Sequence, residues 1–201
     1  MKIVVITAGL SEPSSTRLLA DQLAEAAVRE LELRGEVTQV EVVELRRLAH
    51  ALADRLTSGF GSTELEAAIA SVRTADALIA VTPVFSASYS GLFKTFFDVL
   101  EPETLVGMPV QIAATAGTAR HSLVLDHALR PLFAYLRAMV LPTGVFAATE
   151  DFGGPGTTAL AARVARAGAE LADHLAGATR REPARDEFAE PVPFERLLRG
   201  I

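Results

Sequence analysis

Cysteine is absent from this 201-residue chain, which removes disulfides, thiolate-held zinc or iron–sulfur centres and a catalytic thiol together. Histidine is scarce as well. His50, His121, His127 and His174 lie scattered and form no ligand spacing such as HxxxH, so no metal site is expected. No stretch approaches the roughly 20 apolar residues of a membrane span. The opening MKIVVITAGL carries an apolar run of about seven residues without a small-residue cleavage site, and reads as a first strand, not a signal peptide. With a formal charge of -6, the chain offers no basic face for nucleic-acid phosphates. The phosphate and dinucleotide signatures GxxxxGK[ST] and GxGxxG are missing, and so is the GxSxG nucleophile elbow. No internal repeat and no second domain are visible. These absences leave a soluble cytoplasmic protein of ordinary composition, half hydrophobic and 22% charged, long enough to bury a substantial core.

What is present is alternation. KIVVITA (2–8) is a continuous β-branched run, the mark of a strand covered on both faces. Beyond the loop that follows, Leu19, Leu23, Ala26, Ala27 and Leu31 recur at helical spacing until Gly35 stops them. VTQVEVVEL (37–45) alternates as a more exposed strand, and 46–61 is weakly patterned. Ser62 caps a helix reaching residue 73, with Leu65, Ile69 and Val72 on one face and Glu66 placed to close a cap near Thr63. A third strand is expected over 77–82, a helix over 92–100 and a fourth strand over 109–115. Leu125, Leu129, Leu132, Phe133 and Leu136 stripe a helix over 119–138 that Pro131 kinks or splits. A fifth strand over 140–148 and a last helix over 157–177 complete the pattern.

Five strand–helix alternations specify an α/β protein, a parallel sheet with helices on both faces. Right-handed crossovers and the size of the unit suit a flavodoxin-like three-layer fold. Its five-stranded parallel sheet has the order 2-1-3-4-5, with a switch point between strands 1 and 3. The domain is expected over 1–178, followed by a charged, proline-bearing C-terminal tail, 179–201, that wraps the surface or a partner subunit.

In such sheets ligands sit beyond the carboxyl ends of the strands at the switch point, which selects three loops. In the first, GLSEPSSTR, Gly9 allows a sharp exit, and Ser11, Ser14, Ser15 and Thr16 crowd the start of a helix. Hydroxyls and free N–H groups there make an anion site for a monoester phosphate, with Arg17 nearby; the plainer reading is a helix cap with spare serines. In the second, TPVFSASYSGLFKTFFD (82–98), Pro83 ends the strand, and Val84, Phe85 and Ser86 run out over the switch point. Their backbone suits the edge of a flat heterocycle, with the Phe85 ring beside it; alternatively the segment is a helix cap with an aromatic core residue. Gly91 lets the chain enter the next helix, where Lys94 and Asp98, four apart, can pair. In the third, TAGTARH, Gly117 lets the backbone approach a ring edge, and Thr115 or Thr118 can donate a hydrogen bond. Arg120 is either solvated or attracts a phosphorylated cosubstrate, and His121 reads as a surface residue before it reads as a catalyst.

Together the loops resemble those of the NADPH-dependent FMN reductases of the flavodoxin-like superfamily, closest to actinobacterial members that supply reduced flavin to monooxygenases. The resemblance covers roughly 1–178. Its most specific part is TPVFSASYSGLFKTFFD, similar to the family's proline–x–aromatic segment leading to G–x–x–K–x–x–x–D, and PSSTR (13–17) is similar to its phosphate loop. The resemblance implies that Ser11, Ser14 and Thr16 hold the FMN phosphate, that Pro83, Val84, Phe85 and Ser86 line the isoalloxazine, and that Thr115 and Gly117 face its other end. Glu12 departs from the pattern, standing where many relatives carry arginine, and is expected to face solvent. Also implied are a homodimer or tetramer, NADPH or NADH as donor, and a flavin-dependent monooxygenase as partner. Hydride transfer between stacked rings needs positioning and no nucleophile or general base, so no catalytic side chain is expected. Two alternatives remain: a quinone or azo reductase with tightly held FMN, and a flavodoxin-like electron carrier without turnover. The second wants an acidic rim, and these loops carry only Glu12.

Overall fold

The computed structural model of the chain describes residues 1–153 and 156–177; the expected tail lies outside them. The β-branched runs become β1 (Lys2–Thr7), β2 (Gln39–Glu44), β3 (Ala77–Phe85) and, after a two-residue β4 (Ser88–Tyr89), β5 (Pro109–Ala116). The sheet runs β2-β1-β3-β5 and closes on β6 (Met139–Val140), the flavodoxin-like order. Thr7 stands level with both Glu44 and Val81, and Pro83 with Thr115, so the carboxyl ends of β1, β3 and β5 share one edge.

Alternate residues of each strand serve opposite layers, which is why both sets are apolar. Val4, Ile6, Leu78, Ala80, Val110 and Ile112 pack beneath α2 (Ala49–Ser58), α3 (Thr63–Arg73), α4 (Gly91–Asp98) and α5 (Arg130–Tyr135). Ile3, Val5, Ile79, Val81 and Ala113 pack beneath α1 (Ser15–Leu33) and α6 (Thr157–Gly177). These last two helices touch backbone to backbone: a Cβ on Gly168 would stand 2.7 Å from the carbonyl carbon of Ala26. Gly35 ends α1 at φ +79°, donating to the Glu32 carbonyl at 2.9 Å.

The structure adds detail that the sequence pattern does not show. The weakly patterned 46–61 holds a 3₁₀ turn, Leu45–Leu48, and α2, whose single buried residue, Leu52, leaves no stripe to recognise. Glu66 closes no cap. Ser62 alone accepts the Leu65 N–H at 3.3 Å, and Glu66 instead binds Arg55 at 2.8 Å.

The helix expected over 119–138 comes in pieces: a 3₁₀ turn Ala119–His121, a π turn Leu125–Leu129, and α5, with Pro131 in the first turn of α5, where a missing N–H costs nothing. The fifth strand is broken too. β6 (Met139–Val140) pairs with the start of β5 and β7 (Val145–Ala148) with its end. Side chains satisfy the gap between them. Gln111 Nε2 donates to the Thr143 carbonyl, Arg130 to the carbonyls of Leu141 (2.9 Å) and Pro142, and the Thr143 N–H donates to Glu170 at 3.0 Å. No helix among the described residues is long and apolar enough to cross a membrane.

Candidate flavin site

The first loop leaves β1 through Ala8 and Gly9. A Cβ on Gly9 would lie 2.1 Å from Ser14 Oγ, so any larger residue there would have to displace the capping hydroxyl. Ser14 is the N-cap of α1, its hydroxyl oxygen accepting the Arg17 N–H at 3.2 Å. That bond uses a lone pair and leaves the hydroxyl proton to donate. The first turn of α1 also leaves N–H groups without intrahelical partners. Thr16, 3% exposed, bonds to Thr115 at 2.8 Å, hydroxyl to hydroxyl. One of the two protons is consumed in that bond and the other remains for a ligand. The bond also ties the first loop to the end of β5, across 99 residues of sequence. At the base of the loop the Thr7 hydroxyl is buried with no partner among the described residues. Ser11 stands exposed on the loop's outer part.

The charges around this loop are matched. Arg17 turns from the anion position to Asp21 (2.7 Å) and Glu44 (2.8 Å), and the Asp21 hydrogen bond above all raises its pKa. Arg47 reaches Glu44 at 3.3 Å. Glu12 points outward as expected, its side chain 67% exposed, but it is engaged: Arg46, from the 3₁₀ turn after β2, binds it and also reaches the Leu10 carbonyl at 3.4 Å.

The second loop is a hairpin, not an extended connector. β3 continues through Phe85, and β4 returns antiparallel, Val84 opposite Tyr89 and Phe85 opposite Ser88. Ser86 (φ 47°) and Ala87 (φ 64°) make the turn, both in the left-handed region that two-residue hairpins require. Thr82 closes the base: its hydroxyl accepts the Ser90 N–H at 3.0 Å and donates to the Pro83 carbonyl at 2.9 Å. Ser90 then caps α4, accepting the Phe93 N–H at 3.2 Å. Ser90→Ala is expected to cost about 1 kcal/mol, read as a lowered midpoint in urea unfolding. Pro83 and Val84 are half-buried, while Phe85 is 45% exposed over the strand ends. Gly91 is not needed for close packing, since a Cβ there would meet nothing within 4 Å. Lys94 and Asp98 pair at 2.6 Å, and that hydrogen bond raises the Lys94 pKa.

In the third loop Thr115 is buried against Thr16, and Gly117 is exposed, with open space where a Cβ would lie. Arg120 and His121 are exposed and make no ion pair or hydrogen bond to another side chain among the described residues. Clefts of about 250 Å³ between α1 and α6 and about 340 Å³ beside Pro142 and Arg166 lie elsewhere, and the three loops line neither. Among the described residues no three His, Asp or Glu side chains converge to hold a metal.

The sequence did not single out Arg46 or Thr82. The cue for Arg46 is the LRR that follows β2, because topology sets that strand end beside the first loop.

A hydroxyl-lined helix N-terminus, an exposed aromatic hairpin and a small-residue loop thus meet at one switch point of a flavodoxin-like fold. Comparison narrows the class. Residues 1–153 match the family described as NADPH-dependent FMN reductase, and the chain belongs to that family. The NADH-dependent FMN reductase SfnF of Pseudomonas putida is 39% identical over 76% of this chain and 80% of its own length. An FMN reductase (NADPH) of Pseudomonas aeruginosa is 38% identical over 75% of this chain and 78% of its own. Among solved structures, an oxidoreductase of Corynebacterium diphtheriae superposes with a TM-score of 0.85 at 52% identity, covering 89% of this chain and 98% of that one. The chain is accordingly an oxidoreductase of FMN and a reduced nicotinamide, and the carrier-only alternative falls away.

Proposed function

We propose that the chain binds FMN across the carboxyl ends of β1, β3 and β5, reduces it with NAD(P)H, and hands on the reduced flavin. Ser11, Ser14 and Thr16 hold the phosphate, Pro83, Val84, Phe85 and Ser86 border the ring system, and Thr115 and Gly117 meet its far end. The observation that carries this assignment is the Thr16–Thr115 bond, which fixes the hydroxyl-rich loop and the third loop side by side. The residues suit the ligand: neutral donors flank the helix start, Gly9 leaves the Ser14 hydroxyl in place, and the Phe85 ring stands open beside the strand ends. FMN, when bound, supplies the hydride acceptor. The chain's own part is to orient two planar rings and keep them in register, the source of most rate gain where no proton donor or nucleophile is needed. Arg120, uncommitted in the third loop, is the cation available to a nicotinamide dinucleotide's phosphates. By resemblance the protein is a cytoplasmic homodimer or tetramer serving a flavin-dependent monooxygenase.

The test is loss of nicotinamide absorbance on adding FMN and NADPH or NADH to the purified protein. FMN should behave as a saturable second substrate, and riboflavin, which lacks the phosphate, should require a higher concentration for half-saturation. A rate that responds only to added quinone, with FMN never leaving the protein, would replace this reading with that of a flavin-retaining quinone reductase. Absence of FMN binding at micromolar concentration would end both.

A further inference from the structure

The first loop contains one acidic residue, Glu12, and the arginine it binds comes from another element. Arg46 is anchored at the end of β2 by the 3₁₀ turn Leu45–Leu48 and leans over the loop toward the Leu10 carbonyl and the Glu12 carboxylate. The other two arginines that flank the loop are held by different acids, Arg17 by Asp21 and Glu44, and Arg47 by Glu44. Arg46 is thus the guanidinium that reaches the loop backbone, and Glu12 is what occupies it. Both side chains have solvent beside them, 31% exposed for Arg46 and 67% for Glu12. An ion pair so exposed is weak and easily exchanged.

We propose that Glu12 sets the affinity for FMN by holding Arg46 away from the ligand phosphate. The proposal rests on the first loop being the phosphate site. With Arg46 engaged, the phosphate is held by hydroxyls and backbone N–H groups. Hydroxyl and N–H donors already make charge-assisted bonds to a phosphate, and a guanidinium adds a direct charge–charge attraction, so a site that withholds its arginine releases the flavin more readily. That suits a protein whose product is free reduced FMN. The substitution Glu12→Gln leaves a neutral amide at the loop, which no longer competes with a phosphate dianion for the guanidinium.

The experiment is a double-mutant cycle on FMN affinity, followed by quenching of flavin fluorescence at several salt concentrations, with riboflavin as the phosphate-free control. Glu12→Gln should tighten FMN about two- to fivefold, steepen the salt dependence and leave riboflavin unchanged. In Glu12→Gln/Arg46→Gln the gain should vanish. Neither residue is buried, so both single variants should melt as the parent does. FMN affinity unchanged in Glu12→Gln would overturn the proposal. An equal gain in the Arg46→Gln background would overturn it too, since Glu12 would then act by direct repulsion. If the parent protein binds riboflavin and FMN equally, the fault lies earlier, in the placement of the phosphate.

Discussion

Phe93→Ala lowers the free energy of unfolding by about 4 kcal/mol. Phe93 is fully buried and sits where three elements meet. Its ring lies 6.0 Å from Tyr89 of β4, 4.8 Å from Phe97 on its own helix, and 6.2 Å, edge-on, from Phe133 of α5. Phe97 continues the cluster to Phe96 and Phe133. Alanine leaves a cavity among rigid rings that cannot collapse into it, and aromatic pairs contribute beyond their buried area. The N–H of the same residue donates to the Ser90 cap, a bond that alanine keeps, so what the hairpin loses is the ring contact between Tyr89 and Phe93. For a chain of this length the loss corresponds to a fall in melting temperature of about 8–16 °C. The contrasting substitution is Phe60→Ala, at a residue 79% exposed, which should change stability by less than about 0.5 kcal/mol. If Phe93→Ala costs no more than Phe60→Ala, the ring cluster does not anchor the hairpin.

The contrast between those two phenylalanines shows what a sequence displays and what it hides. The strands β1 and β3 were legible because burial on both faces forces an unbroken apolar run, and α1 because one buried stripe repeats along its length. The hairpin was not. Two-residue turns are recognised by Asn-Gly or Asp-Gly, and here Ser86 and Ala87 take left-handed conformations that L residues adopt at a cost. Strain of that kind gathers at functional sites, and in this chain it falls on the segment assigned to the flavin. The break in the fifth strand was hidden for another reason. Pro142 signals an interruption, but the continuation of the strand beyond it depends on Gln111, Arg130 and Glu170, residues distant in sequence that supply the missing backbone partners.

The site divides the same way. Its hydroxyls were visible, because serine and threonine crowding a helix start after a strand is a local pattern. Their partners were not, because partnership is decided by which strands lie side by side. Arg17 is adjacent to the phosphate loop in sequence yet turns to Glu44 on β2, while Arg46, distant in sequence, reaches Glu12. Both outcomes follow from β2 lying beside β1. Proximity in the chain shows only Arg17 beside the loop, and sheet order brings Arg46 to it as well.

Thr16→Glu is expected to weaken FMN binding at least tenfold, about 1.4 kcal/mol, and the structure now says why the effect has two parts. Thr16 is buried and its hydroxyl is shared with Thr115. A carboxylate in the first turn of α1 is itself favoured by the helix N-terminus, so it both repels the phosphate and competes for the N–H groups that would receive it. Removing the hydroxyl without adding charge separates these parts. Thr16→Val keeps the shape, strands the Thr115 hydroxyl, and should cost about 1–2 kcal/mol of stability with a smaller loss of affinity than the acid. Riboflavin completes the comparison. If charge at position 16 acts on the phosphate, Thr16→Glu should discriminate strongly between FMN and riboflavin, losing the first and largely keeping the second. Equal losses for both flavins would mean that the substitution had only disordered the loop, and unchanged FMN affinity would place the phosphate elsewhere along the strand ends.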